Sequence, residues 1–224
     1  MSHTLGVRQA QKQKTRQALL DAALELLQEQ SLSSLGLREV TRAVGVAPTA
    51  FYRHFRSIAD LGVALVEEAL GSLHPMIGAT VSPGEDSAER IARAVELIEG
   101  HVSRYPAHVR FIARERHGGV QPVREAIRRQ LARFAEEVRA ELAKDPEAAG
   151  WSEADLLMLA GLYVDQMLST ADLFLEAYEA APEAPEEGMR RAGETARRRM
   201  RLISAGRRHW LDPDPDPRGG DREG

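Results

Sequence analysis

The residues with the clearest chemical purpose are Thr49, Tyr52, Arg53 and His54, carried on a short stretch that opens at Pro48. A hydroxyl, a phenol, a guanidinium and an imidazole are donors suited to phosphate oxygens and to base edges. Arginine in particular matches guanine O6 and N7 with two parallel hydrogen bonds. These side chains need a short helix to present them, and proline is favoured at a first helical position because its missing N–H would be unpaired there anyway. Immediately before it, Leu37–Val44 reads as an amphipathic helix with Leu37, Val40, Thr41 and Val44 on one side. Gly45 ends that helix and Val46 fills the turn. Two short helices joined by a tight glycine-containing turn make either a helical hairpin in a core or a helix-turn-helix that places its second helix in the DNA major groove. The polarity of the second helix and the basic residues upstream favour DNA.

Those upstream cations are Lys12, Lys14 and Arg16, in the first turns of a helix expected from about Arg8 to Gln30, with residues 1–7 unstructured. Cations at a helix N-terminus oppose the macrodipole, and a nearby phosphate reverses that penalty. The alternative for them is a solvated charged end. The chain is acidic as a whole, with a net charge of −4, but the sign is not uniform. Residues 1–56 hold eight cations and four acids, a surplus of +4, which leaves −8 for the remainder. A basic head on an acidic body puts a phosphate-binding surface at one end.

Composition narrows the rest. The 224 residues suffice for one or two domains, and 43% hydrophobic content supports a core. Alanine, leucine, glutamate and arginine dominate, and no stretch alternates with a strand period, so the fold is expected to be all-α. Cysteine is absent, which excludes disulfides and thiolate chemistry. No apolar run approaches a membrane span and no signal-peptide core is evident, so a cytoplasmic protein without membrane association is expected. A Gly-rich phosphate loop, GxSxG and HExxH are all missing, and the seven histidines form no i, i+4 pair. The expectation is therefore no enzyme, no catalytic residue, no metal and no cofactor.

Beyond Phe55, a longer helix starts at Ile58 with Leu61, Leu65, Val66 and Leu70 on its apolar face. Pro75 kinks or ends it, leaving open a hinge or a plain stop. Ser82-Pro83-Gly84 is a breaker. Further helices are expected at about Asp86–Arg104, from Pro106 through Glu115, at Pro122–Lys144, and from Ser152 to about Tyr178. Ser152 and Asp155 have capping-box spacing. This last helix is apolar on two sides, one through Leu157, Gly161, Val164, Leu168 and Leu175, the other through Leu159, Tyr163, Met167 and Phe174. One side is expected to meet the core and one a second subunit. A final arginine-rich helix spans about Glu186–Trp210, and residues 212–224 read as a disordered tail. Its arginine faces fit a solvated surface better than a second nucleic-acid surface. The domain reading is 1–56 for the DNA-binding head and 57–211 for the body.

At Leu37–Leu61 the sequence LREVTRAVGVAPTAFYRHFRSIADL resembles the TetR family of bacterial repressors. The resemblance implies a three-helix DNA-binding head, a helical ligand-binding body, and a homodimer formed by a four-helix bundle of the last two helices. It implies contacts to double-stranded palindromic operator DNA from Lys14, Thr15, Arg38, Pro48, Thr49, Ala50, Tyr52, Arg53 and His54. The family usually has Ser where Ala47 stands and commonly Lys at Ile58, so any phosphate contact at Ile58 would rest on backbone N–H groups. With GVRQAQKQKTR near the N-terminus and FIARERHG later, those departures are similar to the regulators of unsaturated fatty-acid synthesis and desaturation (FabR and DesT type). That subgroup implies long-chain acyl-CoA as effector ligand. Phe111, Met158, Tyr163, Met167 and Phe174 are then candidate lining residues, with Arg114 and Arg116 for the CoA phosphates; plain core packing or surface ion pairing is the alternative for each. An unrelated hydrophobic ligand or drug remains the other effector, and a ligand-independent architectural DNA binder the other kind of protein.

Overall fold

The computed structural model describes residues 2–74 and 86–211, with side chains from residue 9 onward. Among them the regular structure is helical: α1 Ser2–Leu26, α2 Leu37–Val44, α3 Pro48–Phe51, α4 Ile58–Gly71, α5 Ser87–Arg104, α6 Pro106–Glu115, α7 Gln121–Leu142, a 3-10 turn Pro146–Ala148, α8 Glu153–Ala180 and α9 Glu186–His209. The all-α expectation holds. The first helix departs from it, beginning at Ser2 rather than near Arg8. Residues 2–7 contain no proline, and Gly6 alone weakens a helix by only ~1 kcal/mol. Pro75, the Ser82-Pro83-Gly84 breaker and the 212–224 tail lie outside the described residues.

Several helix ends follow from local chemistry. Ser152 caps α8, its hydroxyl oxygen accepting from the Asp155 N–H at 3.1 Å. Prolines 106 and 122 stand in the opening turns of α6 and α7, where their missing N–H costs nothing. Ser57 caps α4 by accepting from the Asp60 N–H at 3.2 Å, while the Asp60 carboxylate reaches back to the Arg56 N–H at 2.9 Å.

The head is α1 to α3 closed by α4. Leu19, Leu20 and Ala23 of α1 meet Val40, Phe51, Phe55, Leu61 and Leu65, all buried. This core runs without interruption into the body through Phe111, Ile112, Val123 and Ile127. A second apolar cluster joins α5, the C-terminal half of α8, and α9 through Val95, Val102, Phe174, Ala196 and Met200. Helix α8 is the hub, packed on α5, α6, α7 and α9.

Gly62 permits the close seating of α4. A Cβ there would stand 2.5 Å from Leu32 Cδ2 and 2.8 Å from Val123 Cγ2. The helix therefore passes between a loop of the head and the start of α7 with no room for a side chain.

Helix α6 holds the seam polar as well as apolar. Arg114 donates from Nη1 to the carbonyls of Leu27 and Gln30, both at 2.9 Å, and so covers the open C-terminal end of α1. Glu115, 1% exposed, accepts the Leu32 N–H at 2.9 Å. Removing the Glu115 carboxylate leaves that buried N–H without its partner. Glu115→Ala is expected to lower stability by ~1–3 kcal/mol, read as an earlier urea midpoint, with Glu115→Gln losing less because it keeps an acceptor. An unchanged midpoint for Glu115→Ala would mean this bond does not hold head to body.

Candidate DNA-binding surface and ligand cavity

The turn between α2 and α3 needs its glycine. Gly45 has φ 72°, in the left-handed region, and its N–H donates to Arg42 O at 3.1 Å. Val46 N–H returns to Thr41 O at 3.0 Å, and its side chain packs on the head core. At the start of α2, Gly36 occupies the cap position, and its N–H is taken by Glu39 Oε2 at 2.8 Å. Ala47 caps α3 with no side-chain bond, leaving Pro48 to open the helix. Regular α-helix lasts only to Phe51, yet the turn continues: His54 N–H and Phe55 N–H both reach Phe51 O, at 2.8 and 3.0 Å. Phe51 and Phe55 point inward and are buried.

The outward residues of this element are those expected to read DNA. Pro48, Thr49, Tyr52 and Arg53 are exposed, Tyr52 at 62%, and Ala50 and His54 are half-buried. Lys14 and Arg38 are exposed, and Thr15 is half-buried with its hydroxyl donating to Gln11 O. Two further cations of α1 sit beside the short helix. The Arg16 guanidinium lies 5.3 Å from the Phe55 ring centroid. Lys12, Arg16 and Arg53 all act on His54, whose pKa is lowered first by burial and then by those three positive charges. Three cations around one imidazole mark the patch as electropositive, which is what a phosphate backbone requires. Along the sequence Lys12 and Arg16 are part of a basic stretch, and their one-turn spacing is the signal that they share a face.

The body holds a partly open apolar cavity of about 120 Å³ between α4, α5, α7 and α8, where the two apolar clusters fail to meet. Leu70, Ile98, Leu131, Phe134, Val164 and Met167 are among its walls. It continues in two directions. Towards α6, Leu70, His101 and Leu168 also bound a space of about 60 Å³ whose polar wall is His108, Arg116 and Asp172. Away from the head, Ala94 and Met167 also bound a space of about 70 Å³ walled by Arg90, Tyr163 and Arg207.

Only part of the expected ligand set reaches these spaces. Met167 divides the main cavity from its far extension, Tyr163 lines that extension, and Arg116 lines the α6 end. Arg116 pairs with Asp172 at 2.8 Å, while its Nε is buried without a partner among the described residues. Phe111 belongs to the head–body seam and Phe174 to the second apolar cluster; neither lines the three spaces. Arg114 is engaged with the end of α1. Met158 is 43% exposed on the outside of α8. The two apolar sides read for α8 also shift. Leu159, Val164, Phe174 and Leu175 all face inward, and the outward apolar residues are Leu157, Met158 and Leu162.

Titrating groups gather at both ends. His101 is lowered by burial and then by His108. At the far end, burial raises the Asp145 carboxyl, but the Glu147 N–H together with Arg207 and Arg90 outweigh it and leave the group lowered. Burial raises the Tyr163 phenol, opposed by Arg207 and Arg90. Among the described residues, no group of three or more potential ligands is arranged for a metal ion, and no helix is long and apolar enough to cross a membrane.

A short helix bearing exposed Thr, Tyr and Arg beyond a glycine turn, mounted on a helical body with an apolar cavity, defines a helix-turn-helix protein. Residues 19–65 match the model of a family described as bacterial regulatory proteins, tetR family. The head is thus of the TetR type, and the two-part helical architecture is TetR-like. Among solved structures, the chain is similar to the transcriptional regulator FadR of Bacillus subtilis in complex with stearoyl-CoA, at 13% identity and TM-score 0.64, covering 85% of this chain and 98% of that one. It is also similar to the fatty acid degradation regulator FadR of Bacillus halodurans, at 13% identity and TM-score 0.62, covering 89% and 97%. A SmeT–triclosan complex matches at 17% identity and TM-score 0.63, covering 86% and 91%. At these identities the likeness is one of fold.

Proposed function

We propose that this chain is a homodimeric, cytoplasmic TetR-type repressor of genes for unsaturated fatty-acid synthesis or desaturation, and that its effector is a long-chain acyl-CoA. The observation that carries the ligand reading is the apolar cavity walled by α4, α5, α7 and α8 and extended at both ends. Leucine, methionine and phenylalanine walls suit an aliphatic chain, and methionine adapts to its bends. The domains act as head (1–56) and body (57–211), with residues 212–224 as a tail. Thr49, Ala50 and Arg53 meet base edges; Lys14, Thr15, Arg38, Tyr52 and His54 meet phosphates. Two heads of the dimer lie in successive major grooves, ~34–36 Å apart.

A ligand alters DNA affinity only if it binds the two head spacings unequally. Helix α4 offers the route. Its Leu70 walls the cavity, and Leu61 and Leu65 belong to the head core. Glu68 of α4 accepts from Gln17 of α1 at 3.0 Å and lies 3.6 Å from His108 of α6. A chain that displaces α4 therefore moves α1 with it.

The test is a gel shift on DNA flanking the protein's own gene, with palmitoyl-CoA and oleoyl-CoA added separately. The two are expected to shift operator affinity by different amounts. Identical shifts would remove acyl-shape sensing. A second reading, a compact hydrophobic drug-like effector, is favoured by the main cavity's volume of about 120 Å³, below the ~300–1,000 Å³ usual for ligand sites. Mass spectrometry of ligand released from the purified protein separates the two.

A further inference from the structure

Arg207 is the only buried arginine among the described residues. It sits near the end of α9, a helix whose Arg190, Arg191, Arg198, Arg199, Arg201 and Arg208 are exposed. Its side chain is 4% exposed, and its Nε is buried with no hydrogen-bond partner among the described residues. A buried cation with an open N–H is costly unless something completes it. The neighbouring acids do so only in part. Nη2 lies 3.1 Å from Asp145 Oδ2, a carboxylate that also faces Arg90 at 3.8 Å. Nη1 stands 4.0 Å from Glu147, which is 57% exposed. Two guanidiniums thus share one enclosed carboxylate.

The space these groups wall adjoins the apolar cavity. Ser87, Ser204 and Tyr163 line it with Arg90 and Arg207, and its inner wall is Ala94 and Met167, which also bound the main cavity. A charged, hydroxyl-lined recess therefore lies next to the apolar cavity, with Ala94 and the flexible side chain of Met167 between them.

We propose that this recess receives the carboxylate of a free long-chain carboxylic acid, held by Arg207 Nε and Arg90 with the Ser87 and Ser204 hydroxyls, while the aliphatic chain runs past Met167 into the main cavity. The inference rests on the reading that the body cavity takes an aliphatic chain. It adds that the free acid competes with an acyl thioester for that cavity. A carboxylate completes the open N–H and balances the second guanidinium; an ester or thioester carries no charge at that position.

The chain's two tryptophans provide the readout. The Trp151 and Trp210 rings are 6.1 Å apart, and Trp210 follows Arg207 by three residues. Intrinsic fluorescence of the full chain is titrated with oleate, methyl oleate and oleoyl-CoA. On the unaltered protein, oleate is expected to bind about tenfold or more tighter than its methyl ester, and to displace oleoyl-CoA. Arg207→Met erases the preference of acid over ester, and Ser204→Leu, which fills the recess without removing a charge, weakens oleate more than the ester. Equal binding of acid and ester to the unaltered protein overturns the head-group assignment and leaves the aliphatic cavity standing. A preference that survives Arg207→Met overturns it too. Failure of all three ligands to bind overturns both the assignment and the aliphatic reading.

Discussion

Arg53→Ala lowers operator affinity by about ten- to a hundredfold at fixed salt, and it does so mostly by removing discrimination between sequences. The reason is geometric. Arg53 is exposed one turn beyond Thr49 on an element whose inward side, Phe51 and Phe55, is buried in the head core. The guanidinium is therefore presented away from the protein, and in the proposed docking it meets a guanine edge, where a bidentate pair is worth ~1–3 kcal/mol. Tyr52→Ala, removing a side chain that is 62% exposed, weakens binding with less change in sequence preference, as a phosphate contact should. Lys14→Ala reduces the salt slope by ~1 and weakens all sequences alike. Gel shifts at two salt concentrations, on operator and on scrambled DNA, separate these outcomes. Arg53→Ala and Tyr52→Ala proteins that bind operator as the unaltered chain does would sink the docking model.

A second large effect is expected at the outside of the body. Leu157, Met158 and Leu162 on α8 are 39%, 43% and 48% exposed, and Leu202 on α9 is 75% exposed. The two helices are packed together, and Arg199 of α9 donates to the Ser169 hydroxyl of α8 at 3.1 Å. We read the leucines left in water on these two adjoining helices as an association surface. We expect the unaltered chain to run as a dimer by light scattering and the Leu162→Asp/Leu202→Asp pair to run as a monomer. Because two linked heads gain about 10²–10⁴ over one, operator binding should fall by on the order of a hundredfold, with the helical content of each chain retained. A double variant that stays dimeric would place the subunit contact elsewhere.

The sequence carried much of the head in readable form, because the head is built from local devices. Gly45 stands where the backbone must turn left-handed, with φ 72°. Pro48 opens α3, Ser152 caps α8, and Phe51 and Phe55 alternate with the outward Tyr52 and Arg53. Each depends on a few neighbouring residues, so each is legible along the chain. The Ser57–Asp60 cap of α4 is equally local: Ser57 stands three residues before the acid whose N–H it accepts.

The body was less legible for a reason that is just as physical. An apolar residue that lines a cavity and one that fills a core have the same side chain and the same helical spacing. Phe174 and Met167 lie on one apolar stripe of α8, yet Phe174 is fully buried in packed core and Met167 borders the open space. Arg114 and Arg116 are two residues apart and looked equivalent, but one caps α1 and the other faces Asp172 beside the cavity.

By itself, then, the sequence determined the all-α class, the glycine turn, the proline start of the short helix and the sign of charge at each end, all consequences of backbone preference and composition. Only the tertiary structure decided which of α9's arginines is buried, which leucines of α8 face outward, and where the two apolar clusters leave a space. Those outcomes are set by how each helix is rotated against neighbours far away in the chain, and that rotation is fixed by packing rather than by any residue's local preference.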